Sequence, residues 1–235
     1  MWKRWLLVLA CSTAAQAADA CNPAILAGPY AFQLSGMTAV SGTPQPAVSI
    51  GRIVFDGNSG GSGKLNGTSS VTFSGLLLGN PVTGSYEAKA DCTITWKLQD
   101  DSGAFQNFSG KYSEDGLRVQ FNQTDKGGTS GIMQKTSDSC SAADLQKTYN
   151  FAVSGRTKAM QPSEVAHDVS AKGKVETVDF QVDSDCTVRF SLTLPPPDLE
   201  TITMRGFLVD SGKEILAFQT NPGAMVAARL TTETK

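Results

Sequence analysis

Cysteine has the most chemistry to offer in this sequence, and spacing decides which chemistry that is. The chain holds Cys11, Cys21, Cys92, Cys140 and Cys186 and a single histidine, His167. No two cysteines have the Cys-x-x-Cys spacing that activates a thiol for exchange, and one histidine among scattered cysteines does not assemble a tetrahedral zinc site. The remaining use is structural. If Cys11 departs with an N-terminal leader, the other four form an even set with three ways to pair. An internal similarity, set out below, favours Cys21 with Cys92 and Cys140 with Cys186; a swapped arrangement, Cys21 with Cys186 and Cys92 with Cys140, also respects it. Each bridge of the first kind closes a loop of roughly 50 to 70 residues, worth roughly 4 kcal/mol in chain entropy.

Other residues with chemical potential are weaker candidates. Gly57 to Lys64 reads GNSGGSGK, but a phosphate loop needs glycine where Asn58 stands, a magnesium-binding hydroxyl where Leu65 stands, and a following helix. A calcium loop starting at Asp56 lacks its glutamate, because Gly67 occupies the twelfth position. His167 lies in a polar stretch that reads as a loop, away from any serine or cysteine pattern for nucleophilic catalysis. Glu87, Asp91 and Asp185 sit near strand ends, where carboxylates cap turns more readily than they pair for glycoside hydrolysis. No cofactor and no metal are expected. Asn66, Asn107 and Asn122 begin sequons that matter only in a glycosylating host. What remains is aromatic: Tyr30, Tyr86, Trp96, Tyr149 and Phe190 are the candidates to line an apolar ligand pocket, with ordinary core as the competing reading.

The elements that must position these residues are strands. Cys21 to Gly36, CNPAILAGPYAFQLSG, matches Cys140 to Gly155, CSAADLQKTYNFAVSG, without a gap; Asp91-Cys92-Thr93 then pairs with Asp185-Cys186-Thr187, and Gln123-Thr124 with Gln219-Thr220. An ordered similarity of this kind predicts two copies of one repeat. The second copy is shorter, with the counterpart of residues 50–78 mostly missing. Ile94, Trp96 and Leu98 alternate with Thr95, Lys97 and Gln99, and Val188, Phe190 and Leu192 alternate likewise, so these segments are half-buried strands with cysteine inward. The same period puts Leu117, Val119 and Phe121 on one inward face. Asp56-Gly57, Asp101-Ser102-Gly103, Asp115-Gly116, Gly127-Gly128 and Asp210-Ser211-Gly212 supply hairpin turns. A helical turn is expected only near residues 142–146 and, mirrored, 23–27. The fold class is all-β: two antiparallel meander repeats forming small β-barrels or sandwiches, the first over residues 21–137 and the second over 138–235. Eight strands make a barrel that side chains can fill, whereas some fifteen in one ring would enclose water. Outward Thr, Lys, Gln, Arg and Ser argue against an outer-membrane barrel.

Residues 1–20 read as a secretory signal, with Lys3 and Arg4 before a short apolar run and Ala15-Gln16-Ala17 as a cleavage pattern. Export to the periplasm, cell surface or medium follows. An alternative makes Cys11 a lipid-carrying lipoprotein cysteine. No transmembrane helix is long enough, and the net charge of −2 without basic runs disfavours nucleic acid.

Gly28-Pro29-Tyr30, a G-x-aromatic start to a first strand followed by a meander with Asp-Gly and Ser-Gly turns, resembles the lipocalin or calycin class of ligand-carrying barrels. Tyr stands where that class has Trp, and the second copy lacks the glycine. More broadly, the repeat resembles exported bacterial proteins with a duplicated cysteine-anchored β unit. The functional expectation is a noncatalytic binding or surface-interaction protein whose partner is an apolar small molecule or another surface. The alternatives are an isomerase-like enzyme on a barrel scaffold and a structural envelope component.

Overall fold

The computed structural model describes residues 21–38, 44–58, 60–158, 160, 166–196 and 200–232. The expected leader, residues 1–20 with Cys11, lies outside them. The first eight strands are β1 (Gly28–Thr38), β2 (Gln45–Phe55), β3 (Ser62–Phe73), β4 (Leu76–Ala88), β5 (Thr93–Asp100), β6 (Phe105–Tyr112), β7 (Arg118–Gln123) and β8 (Ser130–Lys135). Each pairs antiparallel with its neighbour in sequence, and β1 pairs with β8 to close a barrel. Seven more follow: β9 (Thr148–Thr157), β10 (Asp168–Glu176), β11 (Gln181–Val182), β12 (Thr187–Thr193), β13 (Thr201–Val209), β14 (Glu214–Gln219) and β15 (Ala224–Thr231). They form a curled sheet in the order β10-β9-β15-β14-β13-β12-β11. That sheet is open between β10 and β11.

The alternation read from the sequence fixes what faces inward. Ile94, Trp96 and Leu98 of β5 are buried beside Tyr30, Phe55 and Phe121 in one barrel core, while Val188, Phe190 and Leu192 of β12 lie in a second core with Tyr149 and Phe151. Leu117 departs from its expected place and is exposed. Gly116, at φ 68°, turns the chain there, and β7 begins only at Arg118, so Leu117 belongs to the turn. The two helical turns are short 3-10 turns at Pro23–Leu26 and Ala142–Asp144.

Disulfides join Cys21 to Cys92 and Cys140 to Cys186, 71 and 46 residues apart. Local geometry recurs around them. Cys92 and Cys186 both have φ 67°, and the carbonyls of these two residues accept from the N–H of Tyr112 and of Leu208 respectively. Phe32 faces Gly51 across β1–β2 and Phe151 faces Gly173 across β9–β10. This last match sets β10 beside β9 as β2 stands beside β1, and among the described residues no strand of the sheet corresponds to β3, so the stretch without a counterpart begins after β2 and not at residue 50.

Barrel and sheet are not separate bodies on a string. Ala31, Val48 and Ile50 on the barrel's outer face bury themselves against Phe207, Leu216 and Phe218 of the sheet. Gln33 Nε2 donates across that junction to the carbonyls of Ala217 and Ala228, at 2.6 and 2.9 Å, and Thr136 donates to the Leu208 carbonyl at 2.6 Å. The buried Glu214 carboxylate is paired with Arg229 of its own sheet and lies 3.5 Å from Arg118 of the barrel. A buried acid between two guanidiniums is the arrangement that keeps such a charge tolerable.

Candidate interaction surface

The five aromatic candidates all lie in packed core. Tyr30 is fully buried and its hydroxyl donates to the Gly116 carbonyl at 2.5 Å; Tyr149 does the same to Gly212 at 2.5 Å. Burial pushes both phenols up from their ordinary value, with the charge of Asp115 adding to the effect at Tyr30. Trp96 stacks on Phe108 at 5.2 Å and meets Phe121 edge-on; Phe190 stacks on Phe180 at 4.3 Å. Tyr86 packs edge-on to Phe55 and donates to Asp56 at 3.1 Å. These rings fill the space a ligand would need.

The polar candidates are occupied by local structure. Asp56 accepts from the Lys64 N–H at 2.8 Å, and that bond, ahead of the Tyr86 hydroxyl, holds its carboxyl below the usual range. Asp91 accepts from the side chain and N–H of Thr93, and Asp185 from the N–H of Thr187. Glu87 pairs with Lys89 at the surface, and the His167 ring lies 3.0 Å from the Thr157 hydroxyl. Among the described residues, no three of His, Cys, Asp or Glu stand together as metal ligands, and no helix is long and apolar enough to cross a membrane.

Two concavities lie on outer faces. One of about 730 Å³ spans β9, β10 and β15 and is lined by Asn150, Lys172, Lys174, Arg229 and Thr231. The other, about 610 Å³, spans β5 to β8 and is lined by Thr93, Ser109, Lys111, Gln120 and Asn122. Apolar groups also line them, Phe151 and Ala152 in the first and Phe121 and Ile132 in the second, and neither gathers, among the described residues, a cluster of titratable groups of the kind catalysis needs.

The feature without a structural use is at one end of the barrel. Leu76, Leu77 and Leu78 open β4 and are 55%, 45% and 49% exposed. β4 pairs with β3 along its length, yet with β5 only from Val82 onward. Residues 76–81 therefore have a strand on one side and, among the described residues, none on the other. The hairpin tip is fixed, because the Gly223 N–H donates to the Gly75 carbonyl at 2.9 Å. Met37 and Phe105, also exposed, stand on the same rim at the end of β1 and the start of β6. A sequence signal for this site existed. Three consecutive leucines cannot all point inward from a strand of period two.

No family model matches this chain, and no curated protein matches it.

Proposed function

We propose that this is an exported, noncatalytic binding protein, built from two copies of one β repeat, which engages a partner through the apolar rim of its barrel. The observation that carries the reading is the exposed Leu76-Leu77-Leu78 run on a rigidly held hairpin, since soluble proteins seldom leave three adjacent leucines in water without use. Export is supported by two disulfides, which persist in oxidising compartments, and by the signal-like character of residues 1–20. Duplication is supported by the recurrence of cysteine, tyrosine and glycine geometry in the two sheets. The likeness to lipocalins goes no further than an up-and-down closure of eight strands: rings crowd the barrel interior, which weighs against a ligand held inside.

A photo-crosslinking amino acid at position 77, in protein exported by its own host, tests the reading. A discrete adduct should form there and not with the same probe at Thr95, which is exposed on the barrel wall. No adduct at 77, or equal labelling at both positions, would overturn it.

A further inference from the structure

The geometry points to the occupant of that rim, on the reading just given: we infer that the free edge of β4 takes up an extended peptide segment as an added strand, basic at its N-terminal end, aromatic in its third position and aliphatic thereafter. An unpaired strand edge is completed by another backbone in extended form, and side-chain positions then confer selectivity.

The register decides those positions. β5 runs antiparallel to β4 and stops at Asp100, opposite Val82. A strand added to residues 76–81 continues the line of β5 in the same direction, so its first residue lies opposite Pro81 and beside the β5–β6 turn. Pro81 has no N–H and asks for no partner there. Asp100 turns its carboxylate inward to the N–H groups of Ser102 and Ala104, whereas Asp101 is exposed. A lysine or arginine at the start of the incoming strand meets that charge.

Two positions later the strand faces Gly79. A Cβ at Gly79 would meet nothing closer than Ser70 Oγ at 3.5 Å, so the space above it is open. Elsewhere this chain fills such space with a ring: Phe32 faces Gly51, Phe121 faces Gly131 and Phe151 faces Gly173, each ring lying within 2.5 to 2.7 Å of where a glycine Cβ would stand. An aromatic third residue repeats that device. The next three face Leu78, Leu77 and Leu76 and call for aliphatic side chains. The two edges of the curled sheet are poor sites for such pairing: β11 is only two residues long, and β10 is charged. Asp168, Lys172, Lys174 and Glu176 alternate along it and make it a protected edge.

The test uses the full exported chain and the peptide acetyl-Lys-Thr-Phe-Val-Leu-Val-amide, read by amide hydrogen exchange at Leu76 to Asn80 and by titration. Protection confined to that segment is expected. Binding should weaken about tenfold or more in the Leu77→Lys, Leu78→Lys double variant, because lysines on an edge oppose pairing, and about threefold in Asp101→Asn, the scale of one exposed ion pair. All three positions are exposed, and an unchanged Trp96 unfolding midpoint shows that the variants are folded. A peptide with proline at its fifth position should not protect the segment, because odd-numbered residues of β4 direct their N–H and C=O toward the free edge and the fifth residue's N–H would otherwise meet the Leu77 carbonyl. Three results overturn the inference: no protection by the peptide at any soluble concentration, the same protection produced by phosphatidylcholine vesicles, or protection that arises from self-association of the protein alone. If the crosslink at position 77 persists in any of these cases, the binding reading stands and only the peptide assignment falls; if the crosslink is absent, both fall.

Discussion

The closed barrel and the curled sheet place tyrosine, cysteine and glycine in the same local arrangements, yet only one of them closes. The difference is the β3–β4 hairpin. Where the barrel has these two strands, the sheet has the segment 177–180 and the two-residue β11, and Phe180 lies against Phe190 over the gap. Closing a sheet and covering its core are thus separable: an inserted ring does the second without the first. The hairpin in turn does more than closure requires, since its first residues outrun β5 and leave an apolar edge. The faces differ in the same sense. The barrel docks through Ala31, Val48 and Ile50, while the concavity on the sheet's β9–β10–β15 face mixes Lys172, Lys174 and Arg229 with Phe151 and Ala152, so it is not a second docking face of the same aliphatic kind.

The largest test of the comparison is to remove each disulfide in turn. Chain entropy assigns roughly 4 kcal/mol to either loop, slightly more to the one of 71 residues. Paired Cys→Ala replacement at Cys21 and Cys92 should lower the denaturant midpoint reported by Trp96. Replacement at Cys140 and Cys186 should lower the same signal, because Phe207, Leu216 and Phe218 couple sheet to barrel. A Trp96 midpoint that ignores the second pair would mean that the two unfold independently.

Phe180→Ala comes next. The ring is 8% exposed and stacked, so its loss should cost about 3 kcal/mol, the low end for a buried phenylalanine. Hydrogen exchange should then accelerate in β10 and β12 and not in β1 or β8. Uniform acceleration would deny Phe180 its role as a local cover.

Much of this arrangement was legible in the sequence, for physical reasons. Period-two alternation from Ile94 to Leu98 can satisfy only a strand with one wet face, and Asp-Gly and Gly-Gly steps have few uses besides turns. The match of Cys21 with Cys140 favoured the cysteine pairing that the structure has, but it also allowed the swapped one. The extent of the missing segment did not follow from it, because β10 keeps the place of β2 through one pairing, Gly173 with Phe151, that leaves almost no trace in residue identity. The aromatics were read as pocket or core alike, and only packing separates the two. The candidate site was missed although Leu76 to Leu78 cannot all face a core, because only the end of β5 at Asp100 shows that these leucines flank an unpaired edge.

A smaller effect tests whether the two tyrosines are equivalent. Tyr30→Phe and Tyr149→Phe each strand a buried carbonyl, that of Gly116 or Gly212, at about 1 to 3 kcal/mol. The two losses should agree within about 0.5 kcal/mol if closure of the sheet does not alter the site. Burial raises the phenol pKa of Tyr30, Tyr86, Tyr112 and Tyr149 alike. The folded state therefore holds these protons more tightly than the unfolded chain does, so their stabilisation is complete below pH 10.0, the ordinary value, and is lost as pH rises above it. Phenolate absorbance should appear together with unfolding; a fully titrated tyrosine in folded protein would contradict the buried assignment.

The smallest effect lies at the hairpin turn that the sheet lacks. Asp56 joins β2 to β3 by accepting from Lys64 N–H and the Tyr86 hydroxyl, and the first of these bonds does most to hold its carboxyl below 3.8. A depressed folded pKa means that the folded state binds this proton more weakly than the unfolded chain, so the stabilisation is present above 3.8 and is lost as pH falls through the folded value. The corresponding turn after β10 is held by a neutral bond, Thr177 hydroxyl to the Gln146 carbonyl at 2.8 Å, which does not titrate. Acid should therefore loosen the β2–β3 turn of the barrel before it touches the turn after β10. Amide exchange at Asp56 and Lys64 should quicken relative to intrinsic rates as pH falls below 3.8, while that at Thr177 and Phe180 should not. Asp56→Asn should remove most of this acid dependence, because an amide oxygen still accepts from Lys64 at every pH. Equal loosening of both turns in the native protein would show that acid acts on the whole fold and not through Asp56.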